Sequence, residues 1–113
     1  MPSELITSPA NPLLKRIRKL RQRKHREEHG AVFVEGIAPV WQALESGVEV
    51  ETLLVAPDLL TSERAAELVA AHEAAGVTVA RVSADAFAAV AERDNPAGLG
   101  AVVRPVPLSL DDL

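Results

Sequence analysis

From Asn11 onward the apolar positions repeat at helical spacing and then stop. Leu13, Leu14, Ile17 and Leu20 form one stripe, three and four residues apart, as a buried helix face requires. Asn11 is a good N-cap, and Pro12 occupies the first helical position, where proline costs nothing. Beyond Leu20 the residues up to His29 are polar on every face. The pattern predicts one helix over 12–29 that docks by its first half, projects its second half, and ends at Gly30.

Short apolar runs then alternate with helical periods. Residues 31–36 (AVFVEG) read as a buried strand, and Ile37, Val40, Trp41 and Leu44 as the inner face of a helix closed by Gly47. Pro39 is tolerated if it lies in the first turn. Residues 50–56 (VETLLVA) are apolar almost throughout, which suits a central parallel strand. A helix over 62–76 follows, alanine-rich, capped by Thr61 or Ser62 and closed by Gly76. Then come a strand over 77–83, a short helix capped by Ser83 with Phe87 and Val90 inward, a turn over 93–98 and a last strand over 99–105. The alternation predicts an α/β domain over residues 1–106, a three-layer α/β/α sandwich on a mostly parallel four-stranded sheet. Residues 107–113 read as a linker toward something larger.

Charge adds what periodicity cannot. Residues 1–26 hold eight of the twelve Lys and Arg residues against one acid, Glu4, a net charge of +7. The remainder carries four cations and fifteen acids, a net charge of −11. Such polarity points to a polyanionic partner for one end only, or to a solvated helix that pairs with the acidic body. Lys15, Arg16, Arg18, Lys19, Arg21, Arg23, Lys24 and Arg26 are the candidate contacts, and the guanidinium fork suits phosphate. The three aromatic residues, Phe33, Trp41 and Phe87, all fall at core positions of the pattern. Recognition is therefore expected to rest on backbone charge and RNA shape rather than on base stacking.

Other chemistry is sparse. The chain has no cysteine, hence no disulfide and no thiolate zinc site, which fits a reducing cytoplasm. No apolar run is long enough to span a bilayer, and residues 1–12 lack the features of a secretion signal. No phosphate-loop or dinucleotide motif occurs. His25 and His29 are four apart, but their cationic surroundings favour solvent exposure over a metal. His72 is expected to be a tucked structural histidine. Glu35 ends an apolar strand; it could act as a general base, but a buried carboxylate must be paired. Backbone N–H groups or an arginine of the first helix are the expected partners, with Glu35 and Gly36 forming a structural junction. No catalytic residue is recognisable.

Residues 6–36 resemble the opening of the SpoU/TrmH-type RNA ribose 2′-O-methyltransferases. The resemblance rests on Ser8, Asn11, Pro12, the basic helix, Phe33, Glu35, Gly36, Val40, Ala43 and Leu44, and it continues to residues 98–105 (GLGAVVRP). It implies an N-terminal substrate-binding domain, similar in fold to ribosomal proteins that recognise kinked RNA. It further implies ribosomal or transfer RNA as partner, with Asn11 joining the basic residues as a contact. S-adenosylmethionine would belong to a separate C-terminal knotted domain, through which the family could also form homodimers; the motifs of that domain do not occur in this chain. Ala38 replaces a residue that is often basic in the family, and Ala97 precedes Gly98 where glutamine is common. A stand-alone ribosomal-type RNA-binding protein and a protein–protein module remain the alternatives.

Overall fold

A computed structural model describes residues 5–105, so the expected linker at 107–113 lies outside the described residues. The elements are α1 (Pro12–Lys19), α2 (Arg23–His29), β1 (Val32–Glu35), α3 (Ile37–Glu45), β2 (Glu49–Val55), α4 (Glu63–Ala74), β3 (Val79–Arg81), α5 (Ala84–Val90) and β4 (Leu99–Arg104). Local chemistry sets three of the five helix starts. Asn11 Oδ1 accepts from Leu13 N–H at 2.9 Å, Ser62 caps α4 at 3.2 Å and Ser83 caps α5 at 3.1 Å. Each satisfies an otherwise orphaned helical donor.

The layers are as expected. On one face of the sheet, Leu14, Ile17 and Leu20 pack with Phe87 and Val90 over Leu54 and Val102. On the other, Val40, Ala65 and Val69 cover Leu53, Val55, Leu99, Ala101 and Val103. Successive residues of β2 and β4 thus feed opposite cores, as the two-residue period of a strand requires. Among the described residues no helix is long and apolar enough to cross a membrane.

The sheet departs from the expectation in one respect. Its order is β1-β4-β2-β3, with β2 and β3 parallel and β4 antiparallel to both β1 and β2. It is mixed, not mostly parallel. The first three strands do run the same way, as alternating strands and helices demand. After β3, however, the seven-residue α5 rises only about 10 Å, and residues 91–98 bring the chain back to the end where β2 finishes. There Ala56 N–H bonds Gly98 O at 2.9 Å. The last strand, buried along nearly its whole length, therefore enters the sheet centre in reverse.

Candidate nucleic-acid interface

The predicted helix over 12–29 is two helices. α1 ends at Lys19 with Leu20 as its C-cap, and Gln22, in an extended conformation, starts α2. Neither glycine nor proline marks the break. The apolar stripe ends at Leu20, which is only 2% exposed, and a straight continuation would bury nothing further. Arg26 takes up the freed carbonyls: its Nη1 donates to Leu20 O at 3.0 Å and to Arg21 O at 2.6 Å. Gly30, in the left-handed conformation at φ 61°, ends α2 as expected.

The basic residues divide into two groups. Arg16 forms a two-pronged pair with Glu51 of β2, its Nη2 lying 3.1 Å from Oε2. Arg104 reaches the same Oε2 at 2.8 Å. The hydrogen bond from Arg16, followed by the charges of Arg16 and Arg104, holds the Glu51 carboxyl below the usual glutamate range, against a desolvation that pushes it up. Arg21 donates to Ala91 O at 2.9 Å and stands 3.7 Å from Glu92. Arg23 pairs with Glu27 at 3.0 Å on the surface of α2, and Arg26 caps α1. Of the candidate contacts, Arg16, Arg21, Arg23 and Arg26 thus bind the protein's own groups.

Lys15, Arg18, Lys19 and Lys24 make no ion pair among the described residues. The first three are spaced three and four apart on α1, so they share one face, opposite the buried Leu14 and Ile17. Lys15 and Lys19 are exposed and Arg18 is half-buried. Asn11, at the start of the same helix, has its side-chain oxygen occupied by the cap.

A cleft of about 490 Å³ lies between edge strand β1, the α1–α2 turn and the segment after α5. Leu20, Arg21, Arg26, Phe33, Glu35, Glu92 and Arg93 line it. Phe33 and Glu35 are two residues apart on β1 and so face the same side. Phe33 is half-buried rather than a core residue, and so is Trp41; only Phe87 is enclosed. The Phe33 ring lies against Gly100, where any Cβ would meet it. Glu35 is expected at a structural junction, held by backbone N–H groups or by an arginine of the first helix. Its partner, however, is the distant Glu92, whose N–H donates to Oε1 at 2.9 Å, and no arginine of α1 pairs with it. Oε2 is buried without a partner among the described residues. Gly36 has φ 107°, and the Arg93 guanidinium rests against it.

Two histidines also depart from the expectation of exposure. His25 and His29 are both half-buried, with ring centroids 6.3 Å apart. With Glu28 they place three donor atoms within 4.8 Å of one another, a set chemically able to hold a divalent cation. Arg16 Nε, 3.5 Å from His29 Nδ1, fixes a positive charge beside them and opposes one. His72 is tucked as expected, its Nδ1 2.8 Å from Leu68 O.

Pairing partners across the fold explain what the sequence pattern missed. Glu51, Glu92, Arg93 and Arg104 lie far along the chain from the basic segment they adjoin. One signal was present: the i, i+2 spacing of Phe33 and Glu35 already set both on one face of β1.

Known proteins share this fold. Residues 11–101 match the family model of the MRM3-like substrate binding domain. Among solved structures, an rRNA methyltransferase from Sinorhizobium meliloti is 31% identical with a TM-score of 0.79, over 98% of this chain and 40% of its own. An RNA 2′-O ribose methyltransferase is 34% identical with a TM-score of 0.80, over 95% of this chain and 40% of its own. The SpoU methyltransferase AviRb from Streptomyces viridochromogenes, in complex with the cofactor AdoMet, is 26% identical with a TM-score of 0.70, over 89% of this chain and 36% of its own. No curated protein matches the chain. The chain spans about 40% of the length of the first two structures. On this match it belongs to the MRM3-like substrate binding domain family, the domain it shares with SpoU-type RNA methyltransferases.

Proposed function

We propose that this domain holds structured RNA, ribosomal or transfer RNA, for an S-adenosylmethionine-dependent ribose 2′-O-methyltransferase. The observation that carries this is the cationic face of Lys15, Arg18 and Lys19 on α1, free of ion pairs among the described residues, with Lys24 beyond it on α2. Docked through Leu14 and Ile17 on the domain core, α1 is a rigid mount for those charges. Phosphates gain from them without competition from internal carboxylates, whereas Arg16 is already engaged by Glu51. The contribution to catalysis is placement: a substrate held in register lowers the entropic part of the barrier.

The cofactor would supply the methyl group when bound to the remainder of such an enzyme. The cleft beside β1 does not suit it. Three guanidinium groups stand there against two carboxylates, a poor setting for a cationic sulfonium. No methyl-transfer step is assigned to residues of this chain, and any homodimer contact is placed in the rest of the enzyme.

The test is RNA binding by fluorescence anisotropy across a salt series. Three phosphate contacts predict a slope of log K against log [salt] of about −2 to −3. The K15E/R18E/K19E triple variant should lose both affinity and slope while keeping its fold. Salt-independent binding, or a triple variant with unchanged affinity, would remove α1 from the interface.

A further inference from the structure

The Glu35 carboxylate is only half satisfied. Oε1 accepts from Glu92 N–H, while Oε2 is buried and has no donor among the described residues. Buried acceptors are nearly always paired with protein or with water, and Oε2, beside the cleft, has accepting capacity left over for a further donor. The surroundings show what kind. Glu35 stands on the wall of the cleft next to Phe33, whose ring is backed by Gly100. Arg21, Arg26 and Arg93 ring the same space. An aromatic side chain, a hydrogen-bond acceptor and surrounding guanidinium groups are the three things an extruded nucleotide requires: apolar contact for the base, an edge partner and phosphate ligands.

We propose that this cleft receives one unpaired guanine of the bound RNA and that Glu35 reads its edge. The proposal rests on the RNA-binding reading above but uses different residues. A carboxylate only accepts hydrogen bonds. Guanine presents adjacent N1–H and N2–H donors to it; adenine and cytosine present one amino group beside a ring acceptor. Uracil places its N3–H between two carbonyl oxygens, which a carboxylate repels. Arg93 makes no ion pair among the described residues and packs on Gly36. It is the side chain that shifts to admit the base.

The experiment uses the 113-residue chain and four RNA hairpins that share one stem and differ in a single bulged nucleotide, G, A, C or U. By anisotropy, the G hairpin should bind about tenfold more tightly than the U hairpin, the discrimination of one good edge contact. Glu35→Gln keeps an oxygen for Glu92 N–H, so the loop stays clipped, and the G-to-U ratio should fall to about twofold or less. If that variant melts early, Glu35→Asp, which withdraws the charge by one methylene, should reduce the ratio in the same way. The K15E/R18E/K19E variant should weaken all four hairpins alike and preserve the ratio. A wild-type ratio near one, or a ratio unchanged in both Glu35 variants, overturns the guanine site. Loss of the ratio with salt-dependent binding intact leaves the α1 grip standing, and an unaffected triple variant with the ratio intact does the reverse. A chain that binds no hairpin sinks both.

Discussion

The Arg93 guanidinium lies against the Cα of Gly36: a Cβ there would sit 2.8 Å from Nη2 and 2.9 Å from Cζ. This contact joins the segment after α5 to the β1–α3 junction, alongside the Glu35–Glu92 hydrogen bond. Glu35 and Gly36 are thus held by two adjacent residues more than fifty positions away in sequence, and Glu35 lines one wall of the cleft.

Gly36→Ala should therefore destabilise the domain, chiefly through its backbone. At φ 107° an alanine is strained by about 1–2 kcal/mol, whereas Arg93 can swing aside at small cost. Gly98→Ala should cost more. It too has a positive φ, 85°, but its Cβ would meet the backbone of Leu60 and Ala56 at 2.8 and 2.9 Å, which cannot swing aside. Thermal unfolding of both variants checks the order; a Gly98→Ala protein more stable than Gly36→Ala would contradict the packing.

Glu51 should make the fold acid-sensitive. Its carboxyl binds a proton less readily folded than unfolded, because Arg16 and Arg104 hold the charged form. Its stabilisation is thus complete above the usual glutamate range, near about 4.3, and disappears as pH falls through that range toward the lowered folded value. Glu73 behaves alike, lowered by its hydrogen bonds from Arg81. Glu51→Gln should cost about 1–2 kcal/mol at neutral pH, with the partial exposure of the pair allowed for. Urea unfolding at pH 7 and at pH 3.5 measures this: the gap between wild type and variant should narrow at the lower pH.

Arg26→Ala should loosen the α1–α2 turn without unfolding the domain. It removes the donors to Leu20 O and Arg21 O, a loss of about 1 kcal/mol for partly exposed groups. Amide hydrogen exchange should quicken across residues 20–29, while β2 and β4 stay protected. Uniform protection would show that the turn does not depend on Arg26.

The K15E/R18E/K19E triple variant should melt within about 0.5 kcal/mol of wild type for each substitution, because among the described residues none of the three makes an ion pair to lose. By contrast Arg16→Glu, which sets a like charge against Glu51, should unfold the domain several degrees earlier. Circular dichroism melts of the two variants distinguish surface charge from structural charge within one helix.

Much of the local structure was legible because its causes lie within a few residues. Asn11, Ser62 and Ser83 each cap the helix their spacing announces, and Gly30 ends α2 in the conformation that favours glycine. The break at Leu20 was not legible. It carries no helix-breaking residue and depends on where the core ends. The roles of the arginines were hidden for the same kind of reason. Arg16 and Arg18 are equivalent as letters, yet one meets Glu51, 35 residues on, and the other meets no acid among the described residues.

By itself, then, the sequence determined the helices after β1, the strands, the two-sided burial of the sheet and the concentration of positive charge at one end, since periodicity, caps and composition act over short range. Only the tertiary structure decided that β4 enters the sheet in reverse between β1 and β2, which cations remain free for a partner, and that Phe33, Glu35 and Arg93 share one cleft. Each of those depends on contacts between residues far apart along the chain, fixed when the two cores close on opposite faces of the sheet.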